Sequence, residues 1–160
     1  MKKKSLIIAL FIMLLDQIIK ILLDNLLNIN ESIKIINNFF YVTKVYNTGA
    51  AWSIFSNGTI FLIIIAILSF FFLLYYQKNF KDNLRNTIAF GLIYGGLLGN
   101  LIDRIIYGYV IDYLRFIIIN YNFPIFNLAD SVLVNGFVLL GYAIIKGEEK
   151  VENRSKKQSR

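Results

Sequence analysis

Residues 60–76 read IFLIIIAILSFFFLLYY, seventeen positions without one charged side chain. As a helix at 1.5 Å per residue this run rises about 25 Å, near the thickness of a bilayer's hydrocarbon core. Three further apolar segments flank it. The first covers about Leu6 to Leu23 and is interrupted by Asp16, Gln17 and Lys20. Another covers about Thr87 to Ile106, charged only at Asp103 and Arg104, and the last covers about Ile125 to Ile145, charged only at Asp130. The pattern predicts an all-α membrane protein with four transmembrane helices at about 6–23, 60–76, 87–106 and 125–145. The membrane domain covers 1–146, and a charged tail, 147–160, follows and reads as unstructured.

Composition agrees with a bilayer. The 160 residues are 57% hydrophobic and only 17% charged, too few charges to coat a soluble domain of this size. The net charge of +7 raises the question of nucleic acid, but the placement of the charge answers it. Twelve of the 17 basic residues lie in the first four positions, in the 77–86 loop and from Lys146 onward. They have no interleaved aromatics to stack on bases, so no nucleic-acid partner is expected. Four crossings put all three of these segments on one side of a membrane. The opposite side, 24–58 and 107–124, holds only Lys34, Lys44 and Arg115. The excess of positive charge predicts that both termini are cytoplasmic. Residues 1–23 also resemble a cleavable signal segment, but Asp16 and Lys20 break the apolar run and no small-residue cleavage site follows; an uncleaved first helix is expected.

The outer region is too long for a turn and too apolar for a linker. Phe39 to Tyr46 is rich in β-branched and aromatic residues and reads as a strand. Asn47-Thr48-Gly49 signals a turn, Ala50 to Phe55 is expected to return as a second strand, and Val110 to Ile119 has similar β character. A small β-sheet on the outer surface is expected, spanning about 36–58 in the first outer segment, with 47–55 as a lid over a site beneath it.

With no cysteine and no histidine, thiol nucleophiles, the usual zinc sites and Ser–His pairing are excluded, and neither a cofactor nor a metal is expected. Carboxylates remain. Asp16 and Lys20, spaced i and i+4, read as a mutually neutralising pair on the first helix. Asn100, Asp103 and Arg104 share one face above a stripe of Gly91, Gly95 and Gly99 that admits a close helix neighbour. Asp103 is open to two readings, a structural partner of Arg104 or a third member of a site. Asp130 stands alone in its span. With a helix starting at Ile125 it would lie about 7–8 Å along the axis, with Asn127 on the same face. Asp112 lies in the preceding connection, close enough in sequence to fold back against it. Two carboxyl groups in one desolvated site hold one proton between them, so one activates water while the other donates to a carbonyl. Ser131 with Lys20 is an alternative dyad, weakened because Asp16 keeps Lys20 charged. A proton-coupled transporter or channel using Asp16, Asp103 and Asp130 as a relay, and a non-catalytic assembly subunit, are the readings from other classes.

Five blocks then fall in one order: Asp16 to Lys20, Tyr46 to Ser53, Gly95 to Arg104, Gly108 to Asp112 and Phe123 to Ser131. In order and spacing they resemble the bacterial lipoprotein signal peptidases (signal peptidase II), over about residues 5–145. The resemblance implies an aspartic endopeptidase of the bacterial inner membrane that cleaves diacylglyceryl-modified prolipoproteins just before the lipid-bearing cysteine. It makes Asp112 and Asp130 the catalytic pair. Asn47, Gly49, Asn100, Asp103, Arg104 and Asn127 become supporting or substrate-contacting positions, and Asp16 a structural one. Membrane lipid and the cyclic peptide inhibitor globomycin are its implied partners. Trp52 departs from the family's usual Phe, and Ile19 from a smaller or polar residue.

Overall fold

The computed structural model describes residues 3–50 and 58–149. The segment 51–57, which carries most of the expected returning strand and lid, and the tail from 150 lie outside the described residues. In chain order the elements are α1 (Lys3–Leu26), β1 (Ser32–Ile36), β2 (Phe40–Asn47), α2 (Thr59–Tyr76), α3 (Leu84–Tyr107), β3 (Val110–Ile118), β4 (Tyr121–Asn122) and α4 (Leu128–Ile145). Each of the four helices, α2 being extended by a turn of 3₁₀ helix at Gln77–Asn79, is long and apolar enough to cross a membrane.

Helix α3 is the central post. It is buried along most of its length, whereas α2 buries only Leu73 and presents residues such as Ile60, Leu68 and Phe71 outward. An apolar helix left uncovered in this way is stable where the surrounding solvent is itself apolar. The glycines let α3 sit close to two neighbours. A Cβ on Gly95 would come within 2.7 Å of Ile12 on α1, and one on Gly96 would collide with the Ala129 carbonyl on α4. Close backbone approach of this kind is how helices associate where burial from water is not available to drive them together.

The strands form one antiparallel sheet in the order β1-β2-β3-β4. Strand β1, Ser-Ile-Lys-Ile-Ile, was not among the expected strands; it is exposed along its whole length and owes its conformation to pairing with β2. Between β2 and β3, Val42 pairs with Leu114 and Val45 with Asp112, so β2 carries one extra residue at Thr43–Lys44. Lys44 there reaches the Asp24 carboxylate at 3.1 Å and the Asp24 carbonyl at 2.7 Å, fastening the sheet to the end of α1.

At the opposite end of the helices the start of the tail is held. Glu148 pairs with Arg85 and accepts from Asn83, Glu149 accepts from Tyr76, and Glu149 bridges to Phe80. Composition suggested an unstructured segment from Gly147 onward; its first acids instead meet the donors of the 76–86 turn.

Candidate active site

The fourth helix begins later than its apolar run suggests. Phe126 is engaged with the sheet, its carbonyl accepting from the Leu114 amide at 2.8 Å, so the helix cannot include it. Asn127 is the N-cap and forms a capping box with Asp130: its Oδ1 accepts from the Asp130 amide at 2.9 Å, while Asp130 Oδ2 accepts from the Asn127 amide at 3.2 Å. Asp130 therefore sits in the first turn at N3, not a turn and a half inside the helix as a start at Ile125 would have it. Leu128, at N1, donates its amide to the Tyr113 hydroxyl at 3.1 Å.

Asn127 also joins the two acids. Its Nδ2 donates to Asp112 Oδ1 at 2.7 Å while its backbone holds Asp130. Asp112, on β3, receives a second bond from Asn47 Nδ2 at 2.8 Å, a diagonal contact across the β2–β3 pair. Asp130 Oδ1 receives one from Asn100 Nδ2 at 2.7 Å. Three asparagine amides thus each aim an N–H at a carboxylate, and the orientation of each is set by a group that can only donate to its oxygen. The Gly49 amide donates to Asn47 Oδ1 at 2.9 Å, the Asp130 amide to Asn127 Oδ1, and the Lys20 ammonium to Asn100 Oδ1 at 3.0 Å.

Lys20 is the position whose reach the sequence understated. As expected it pairs with Asp16, at 2.7 Å, but it also pairs with Asp103 at 2.9 Å and so spends its three protons on two carboxylates and one amide. All three charged groups are fully or almost fully buried. Asp16 takes a further bond from the Ala129 amide at 3.0 Å, and Asp103 takes bonds from Gln17 at 2.8 Å and the Ile111 amide at 3.3 Å. Buried charges persist only when paired in this way. Asp103 is thereby the partner of Lys20, while Arg104 turns away and donates to the Gly49 carbonyl at 2.9 Å. The charges of Asp130, Asp112 and Asp103 all act on Arg104. The Ser131–Lys20 dyad is not formed: Ser131 Oγ donates to the Asn127 carbonyl, and Lys20 is occupied as described. An i, i+4 acid–base pair facing a second acid one helix away is a signal that only pairing α1 with α3 can reveal.

Burial pushes the Asp112 carboxyl up to about 7, with the negative charge of Asp130 adding to the rise; the Asn47 and Asn127 amides and the Lys20 charge oppose it. Asp112 therefore keeps its proton below that pH. Such a pair has the two functions that addition of water to a carbonyl requires, a base for the water and an acid for the oxygen.

Residues 8–146 match the family described as Signal peptidase (SPase) II. A protein of Staphylococcus haemolyticus named lipoprotein signal peptidase is 40% identical over 158 residues, covering 95% of this chain and 100% of its own. One of the same name from Staphylococcus aureus is 37% identical, covering 96% of this chain and 94% of its own. Two solved bacterial membrane enzymes share the fold. One has a TM-score of 0.82 at 36% identity over 100% of this chain and 94% of that one; the other has 0.80 at 38% over 91% and 95%.

Proposed function

The chain belongs to the signal peptidase II family, and from that membership we propose that it removes signal peptides from diacylglyceryl-modified prolipoproteins by carboxylate catalysis, cutting just before the modified cysteine. It is a multi-pass membrane peptidase. The observation that carries the catalytic reading is the bridge of Asn127 between Asp112 and Asp130. In this mechanism Asp130 takes a proton from water as the water adds to the scissile carbonyl. Protonated Asp112 supplies a proton to the carbonyl oxygen, and return of a proton to the amide nitrogen releases the two products. No covalent intermediate is formed.

Asn47, Asn100 and Asn127 hold the two carboxyl groups in place, and Arg104 with the Gly49 carbonyl tethers the loop after β2 beside them. Asp16, Lys20 and Asp103 form the buried charge cluster that supports Asn100. The positive charge of the termini and of the 77–86 loop supports an orientation with both termini in the cytoplasm of a bacterial inner membrane, and the sheet with its lid segment on the outer side. There the scissile bond of a membrane-anchored, lipid-bearing precursor lies at the depth of the α4 N-terminus. Within this assignment 1–146 is the peptidase domain, 147–160 its cytoplasmic tail, and globomycin an inhibitor.

The test is Asp112→Asn and Asp130→Asn, made singly and assayed on a lipid-modified precursor. Each variant is expected to insert and fold yet leave the precursor uncleaved; cleavage at the wild-type rate by both would refute the two-aspartate mechanism.

A further inference from the structure

The end of the sheet remote from Asp112 carries an apolar tip that the reaction does not use. It is made of two turns side by side, one joining β1 to β2 and the other joining β3 to β4, linked by the Ile117 amide donating to the Phe39 carbonyl at 2.8 Å. Ile35, Ile36, Phe39, Ile118, Ile119 and Tyr121 are all exposed there. No charged residue occurs in 35–40 or in 116–123.

Ile119 is the extreme case. It is 95% exposed and stands with Asn120 in a two-residue turn in which both φ angles are positive, 50° and 63°. Such turns favour Asn or Gly, and a β-branched residue there is a conformational outlier. In water this position would combine backbone strain with full hydration of a large aliphatic side chain, and nothing in the fold compensates either. An apolar surrounding for the side chain would.

One row inward, Lys34, Tyr41 and Arg115 are cross-strand partners, with the Arg115 guanidinium 5.7 Å from the centre of the Tyr41 ring. The acids on the sheet and at its flanks, Asp24, Glu31 and Asp112, belong to its other end. An uncharged aliphatic tip followed by a row of Lys, Tyr and Arg matches the layering of a membrane surface, acyl chains first and anionic headgroups next. The four helices already require that membrane to be present beside the sheet. We propose that the two turns are a membrane anchor, inserted at the acyl-chain boundary of the bilayer that the helices cross, with Lys34 and Arg115 at its anionic headgroups. The anchor holds the sheet, and Asp112 with it, at a constant depth.

The test uses the full chain with its single tryptophan removed (Trp52→Phe) and a reporter introduced by Ile119→Trp, reconstituted in vesicles of phosphatidylcholine and phosphatidylglycerol. The expected result is a blue-shifted emission that brominated acyl chains quench and aqueous acrylamide does not. Phe39→Trp, at a position without positive φ, provides the same reading if the first variant folds poorly. Lys34→Gln with Arg115→Gln should weaken the quenching in vesicles rich in phosphatidylglycerol. Emission at the wavelength of hydrated tryptophan, open to acrylamide and indifferent to bromine, would overturn the proposal. So would indifference to bromine with disulfide cross-linking between Ile119→Cys copies, which would make the tip a contact between two chains; the protein has no other cysteine to confuse that result.

Discussion

Replacing Asn127 separates the two tasks that this residue combines. Its Oδ1 caps α4, and its Nδ2 donates to Asp112. Asn127→Ser keeps an N-cap acceptor of the preferred type and removes only the donor, whereas Asn127→Ala removes both. The cap contributes about 1 kcal/mol, so the alanine variant should be less stable by about that amount and the serine variant close to wild type. A hydrogen bond to an uncharged carboxyl, the state of Asp112 in the active pair, is worth about 0.5–1.5 kcal/mol, which corresponds to a loss of about 2- to 13-fold in cleavage rate for both variants. The pH profile provides a second reading with a fixed sign. The Asn127 bond is one of the influences lowering the Asp112 pKa, so its removal lets burial and Asp130 raise it further. Wild-type activity should fall as pH rises through about 7, where Asp112 loses its proton, and in Asn127→Ser that alkaline limb should move to higher pH. The assay is single-turnover cleavage of a lipid-modified precursor in detergent across pH, beside thermal unfolding of the same samples. A serine variant with the wild-type rate and an unmoved limb would refute the idea that Asn127 organises the pair.

Two further outcomes follow from the buried charges and the close helix contacts. Lys20→Met strips two buried carboxylates of their cation, and removing one partner of a buried ion pair costs about 3–5 kcal/mol; thermal unfolding in detergent should show a large loss, and an unchanged midpoint would contradict the pairing with Asp16 and Asp103. Gly99→Ala would push a methyl to 2.7 Å from Asp16 Oδ2 and 3.2 Å from the Ala129 side chain, an overpacking cost of about 1–3 kcal/mol, while Gly141→Ala, with nothing within 4 Å, should unfold like wild type.

The four helices and the main strands were legible because their signals are local. The bilayer core demands an unbroken apolar run of nearly fixed length, and residues 60–76 meet that demand wherever they lie in the fold. Strand β2 carries its own β-branched and aromatic preference, whereas β1 is a strand only because β2 pairs with it. Elimination of thiol and imidazole chemistry needed nothing beyond the inventory of side chains.

What the sequence alone determined is therefore the solvent, the number of apolar helices and the type of chemistry available. The tertiary structure decided which groups meet. Asp103 has Arg104 beside it in sequence, yet it pairs with Lys20, 83 positions away, because α1 packs against α3 along its glycines. Asp130 looked like a residue within a helix until the sheet claimed Phe126 and moved the helix start to Asn127. Apolar runs are read along the chain, but a hydrogen bond joins whichever donor and acceptor the packing brings within about 3 Å, and here those partners lie up to 113 residues apart.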